Sequence, residues 1–106
     1  MRELDWPPEI LTDPKATEMV RVWVAHGELH VSMRLGSWAD ALESDVDERD
    51  AWGELLADLT RHVANGLMQS HAWDRAGTEA RIAESYRHQI SRTDVTVEGS
   101  YPRDES

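Results

Sequence analysis

Two short runs with a repeat of two, set either side of a glycine, constrain this chain most. In the first, Val20, Val22 and Val24 alternate with Met19, Arg21 and Trp23. In the second, Leu29, Val31, Met33 and Leu35 alternate with His30, Ser32 and Arg34. Successive side chains of a strand leave opposite faces, so each run reads as a strand with one apolar face. The intervening Gly27 signals an antiparallel hairpin. A turn centred on Gly27-Glu28 would place Arg21 opposite Arg34, a destabilising like-charge pair. A turn centred on His26-Gly27 pairs Trp23 with His30 and Arg21 with Ser32. It also matches the type I′ preference for glycine at the second turn position, so it is the favoured register.

An isolated two-stranded sheet is marginal and needs cover on its apolar side. Downstream, Trp52, Leu55, Leu56, Leu59, Val63 and Leu67 follow the i, i+3, i+4, i+7 pattern of an amphipathic helix. Its expected span is about 46–69, capped by Ser44 or Asp45, with a stop signal at Asn65-Gly66. This ridge is expected to roof the valines. A second helix is expected from Thr78 to about 92, with Ile82, Tyr86 and Ile90 on its stripe. Val95 and Val97 are candidates for a third strand. The fold class is therefore α+β: an antiparallel hairpin packed against two helices. The 106 residues fit one domain, with an arm over 1–17 that Pro7, Pro8 and Pro14 keep irregular and a polar tail over 99–106.

The net charge of −10 opposes binding to phosphate backbones and anionic lipid, so neither nucleic acid nor membrane is an expected partner. Much of the acid lies over 37–58, where Asp45, Asp47, Glu48 and Asp50 suit the positive start of the long helix. No apolar leader and no membrane-length run is present, which sets the expected location in the cytoplasm. Cysteine is absent, so disulfides, thiol nucleophiles and Cys-based zinc sites are ruled out.

Asp58 with His62, and Glu84 with His88, are i, i+4 pairs that could share a cation. Ideal helix geometry turns His62 and His88 away from their apolar stripes, so paired surface side chains explain them better, and no metal is expected. The acidic run 45–50 lacks the glycine and final glutamate of a calcium loop. Neither a nucleophile elbow nor a glycine-rich phosphate loop occurs, and no cofactor is expected.

The outer hairpin face holds the most informative group: Arg21, Trp23, His30 and Arg34. Tryptophan and arginine are enriched at binding hot spots, so this face reads as an anion or protein acceptor. Equally compatible readings are a solvated sheet face and one covered by the second helix or a partner chain. Five tryptophans in so short a chain add to the interaction case. Trp6 and Trp73 lie outside the regular elements and are expected mainly to pack within the chain.

The Arg-x-Trp strand, the Leu29-His30-Val31-Ser32 strand and the helix segment Ala51-Trp52-Gly53 to Ala57-Asp58-Leu59, with Arg61-His62, resemble a bacterial family classed as a domain of unknown function, DUF5076. The likeness covers residues 13–67. It implies a bacterial cytoplasmic protein and assigns no catalytic residue. It directs attention to Asp58, Arg61 and His62 on the helix's polar flank. The favoured function is a non-enzymatic interaction module, expected as a homodimer, with another protein as a further candidate partner. The alternatives are a small anionic-ligand binder or minor enzyme using the hairpin face, and an acidic inhibitor of the antitoxin kind.

Overall fold

The turn at His26-Gly27 sets the register of the hairpin. In the computed structural model, which describes residues 2–97, 99 and 101, β1 (Val20–Ala25) pairs antiparallel with β2 (Glu28–Met33). Trp23 faces His30, Arg21 faces Ser32 and Ala25 faces Glu28. His26 and Gly27 take φ of 54° and 73°, the two left-handed residues a type I′ turn requires. Arg34 N–H continues the ladder to the Met19 carbonyl at 2.9 Å. The sheet has two strands, and residues 93–97 form none, so the third strand is absent among the described residues. Of the expected tail, only Gly99 and Tyr101 lie within the described residues.

The chain is α+β, with four helices in addition to the hairpin among the described residues. Its residues group into two compact units, one ending at Glu48 and taking in the C-terminal residues, the other Arg49–Val97. In the first, α1 (Glu9–Thr12) is a single turn inside the arm expected to be irregular. Pro7 and Pro8 precede its first residue, where a missing N–H costs nothing. Their carbonyls accept from Ile10 and Leu11 at 3.2 and 3.1 Å. A further short helix, α2 (Trp38–Leu42), occupies what reads in the sequence as a connector. It ends on Glu43 in the left-handed region, and Lys15 Nζ lies 2.6 Å from the Glu43 carboxylate, tying the arm to it.

In the second unit, α3 (Glu48–His71, its first residue belonging to the first unit) runs straight through Asn65-Gly66. An interior glycine costs a helix only about 1 kcal/mol relative to alanine, too little to end one this long. The helix stops at Ala72, whose φ of 59° turns the chain while its N–H bonds the Met68 carbonyl at 3.0 Å. The next helix, α4 (Arg75–Ile90), starts earlier than Thr78. Asp74 is the cap instead, accepting from Gly77 N–H at 2.7 Å. A side chain at position 77 would crowd that carboxylate, since a Cβ there would stand 3.0 Å from it.

Burial departs most from the sequence reading. Val22, Val24 and Leu29 on the apolar hairpin face are 56%, 75% and 66% exposed, although alternation predicts them covered. Leu56, Leu59 and Val63 of the helical ridge are also exposed. The buried apolar residues are the small Ala51 and Ala64, and no large side chain is fully buried among the described residues. On the hairpin, the half-buried residues are Arg21, Trp23, His30 and Ser32 of the mixed face and Val20, Val31 and Met33 of the apolar face. The arm reaches the mixed face at Arg21, where Glu3 stands 4.0 Å from the guanidinium.

Candidate functional site

The register places Arg21, Trp23, His30 and Ser32 on one hairpin face, as the alternation requires, and Arg34 follows one residue beyond β2. The mixed face is not simply cationic. Arg21 Nε donates to the Glu18 carboxylate at 2.6 Å, and Glu3 stands at 4.0 Å from the same guanidinium. The hydrogen bond and charge of Glu18 raise the Arg21 pKa further above its ordinary value. Arg34 Nε donates to the Glu18 carbonyl at 3.4 Å, so one residue engages both arginines. His30 Nε2 lies 3.2 Å from the Ala25 carbonyl, an acceptor for the ring N–H when that nitrogen carries it. A shallow cleft of about 100 Å³ opens between Arg21 and Arg34, with Glu18 and Ser32 also on its wall.

Sequence reading identifies the arginines but misses Glu18 and Glu3, because neither belongs to the alternating runs. Nothing periodic marks them. Glu48 is a second omission. Read as a favourable charge at the helix start, it also accepts from the backbone N–H of Gly36 at 2.7 Å and of Trp38 at 3.3 Å. It thereby holds the chain leaving the hairpin against the first residue of α3.

The remaining candidates lie on α3 in the second unit. Asp58 Oδ2 is 3.3 Å from His62 Nε2, and Asp58 Oδ1 is 3.8 Å from Arg61. All three are exposed, and Asp58 links the other two as an i, i+3 and i, i+4 cluster. Glu84 and His88 are likewise exposed on α4. No three metal-ligating side chains converge among the described residues. Arg61 also borders a groove of about 490 Å³ between α3 and α4, walled by Leu56, Ala57, Ala83 and Tyr86. Glu79 contributes to it. Its Oε1 is shielded from solvent without hydrogen-bond geometry, although Arg75 Nε stands 3.4 Å away as a charge partner. A neighbouring groove holds Trp73, half exposed, whose ring centroid is 5.4 Å from that of His71. Trp6 is 58% exposed and borders a cleft with β1.

The profile of a domain of unknown function, DUF5076, matches residues 3–93. The chain belongs to the DUF5076 family. The match extends well beyond residues 13–67, taking in most of the arm and all of α4. A solved structure from the photosynthetic bacterium Rhodopseudomonas palustrus CGA009, provisionally named a pyruvate dehydrogenase, is similar over 92% of each chain at 25% identity and a TM-score of 0.66. No curated protein matches the sequence. No helix among the described residues is long and apolar enough to cross a membrane.

Proposed function

We propose that this DUF5076 chain is a non-enzymatic, self-associating module, a homodimer in the bacterial cytoplasm. One observation carries the reading: Val22, Val24 and Leu29 stand together on one face of a two-stranded sheet and are all more than half exposed. Burying apolar surface yields roughly 25 cal/mol per Å², and a lone two-stranded sheet is marginal without cover. The α3 ridge repeats the pattern at Leu56, Leu59 and Val63. Contiguous apolar surface of this kind marks association sites. Light scattering is expected to give twice the 12.1 kDa chain mass at micromolar concentration. Leu29→Lys is expected to shift the population toward monomer while circular dichroism retains the helices. A wild-type chain that stays at 12.1 kDa through this range defeats the reading.

A second reading rests on the cleft between Arg21 and Arg34, which has the cationic chemistry for a small carboxylate. The provisional name of the similar Rhodopseudomonas structure suggests pyruvate as the probe. The reading ranks lower because Glu18 already supplies a carboxylate 2.6 Å from Arg21. Calorimetric titration with pyruvate is expected to give no heat below millimolar concentration. Saturable binding abolished by Arg21→Ala would reverse the ranking. The acidic-inhibitor reading ranks last, since Glu48 has structural work at the Gly36 and Trp38 amides.

A further inference from the structure

Resting on the self-association reading, we infer that two copies join β2 edge to β2 edge, antiparallel about a two-fold axis at Val31, making one four-stranded sheet. In an antiparallel ladder, residues alternate between pairs that exchange hydrogen bonds across the strands and pairs whose backbone groups point outward. Ala25 and Glu28 flank the two-residue turn as a bonded pair, and Arg34 N–H donates to the Met19 carbonyl at 2.9 Å in the same phase. The N–H and C=O groups of Leu29, Val31 and Met33 therefore point away from β1. Among the described residues, none of these groups has a hydrogen-bond partner. An edge of this kind is a template for another strand.

The β1 side is less available. There the arm over residues 2–7, Glu18 and residues 20–23 wall a common cleft, and Glu3 reaches to 4.0 Å from Arg21. Gly99 approaches β2 at the side chain of Val31, on the apolar face. A Cβ on Gly99 would meet Val31 Cγ2 at 2.9 Å, a side-chain contact and not one with the outward backbone groups.

Charge selects the register. With Val31 opposite the partner's Val31, Leu29 meets the partner's Met33, His30 meets Ser32, and Glu28 meets Arg34. The two-fold makes each of these pairs twice, including two of opposite charge, which stabilise a sheet when directly opposed. Centring the axis on His30 would bring Glu28 to Ser32 and lose both charge pairs. Centring it on Ser32 would oppose His30 to Arg34. The Val31 register also keeps Leu29, 66% exposed in one chain, on a continuous apolar face with the partner's Met33.

The absence of native cysteine makes disulfide trapping in the full chain a direct test. Opposed residues in an antiparallel pair lie about 4.5–5.5 Å apart at Cα, inside the disulfide range of about 4.4–6.8 Å. On mild oxidation Val31→Cys is expected to cross-link to itself. A mixture of Glu28→Cys and Arg34→Cys chains is expected to cross-link, and neither alone, because like positions there stand about 20 Å apart. Glu28→Arg is expected to weaken association roughly tenfold, and Glu28→Arg with Arg34→Glu to restore it. Circular dichroism of each variant verifies folding. If wild type is monomeric by light scattering, this inference and the self-association reading fall together. If it is dimeric but Val22→Cys cross-links in place of Val31→Cys, or neither does, the β2 edge is overturned and self-association stands.

Discussion

Replacing Gly27 and Gly53 separately by alanine gives opposite outcomes, and the backbone alone decides the sign. Neither glycine has an atom within 4 Å of the position its Cβ would take, so packing is not the variable. Gly27 has φ of 73°, in the left-handed region. An L side chain there costs about 1–2 kcal/mol, of which a part is offset by the stiffer unfolded chain. Gly53 lies inside α3, where alanine is favoured over glycine by about 0.8–1 kcal/mol. Gly27→Ala should therefore lose about 1 kcal/mol and Gly53→Ala gain about as much. The separation of about 2 kcal/mol exceeds a tenfold change in the folding equilibrium. In a chain near 100 residues each step moves Tm by about 4–8 °C, in opposite directions. Thermal and urea denaturation followed by circular dichroism, at one protein concentration, reads the difference directly. Shifts of the same sign would refute the reasoning.

Three further outcomes follow from local geometry. Ala72→Gly should raise stability by up to about 1 kcal/mol in urea denaturation, because alanine holds the left-handed position that ends α3 at φ 59°. Asp74→Ala should lower stability by about 1 kcal/mol and fray the first turn of α4, seen as faster amide exchange at Gly77, which loses its 2.7 Å acceptor. The Asp94 carboxyl is held below the usual carboxylate range, first by the hydrogen bond from Arg92 and then by its own backbone amide. The ionised form is the one favoured in the folded chain. The contribution is therefore complete above the ordinary aspartate range and is lost as pH falls through the lowered midpoint. An NMR titration should find that midpoint low, and Arg92→Ala should move it back toward the ordinary value.

Much of the architecture was legible in the residues because it is set by near neighbours. The alternation of Val20, Val22 and Val24 with Arg21 and Trp23, the glycine at 27 and the cost of opposing Arg21 to Arg34 were together enough to choose the register. The 3.6-residue pattern from Trp52 to Leu67 sufficed for the long helix. Helix ends were less legible. Asp74 and Thr78 are both competent caps, and the choice turned on Gly77, which lets the Asp74 carboxylate approach. The one-turn helices α1 and α2 were not legible, since four or five residues carry no period.

The candidate site divides along the same line. Which side chains share the hairpin face followed from the strand repeat, and the Asp58–Arg61–His62 grouping from helix spacing. That Glu18 and Glu3 compensate Arg21, and that Glu48 binds the Gly36 and Trp38 amides, depended on where the arm and the connector travel. By itself, then, the sequence determined the turn, the strand pairing and the faces of the helices. The tertiary structure alone decided which residues of each face are covered and which charges are already spoken for. Burial and ion pairing depend on segments distant along the chain, and a local pattern can say which side of a strand is apolar without saying what lies against it.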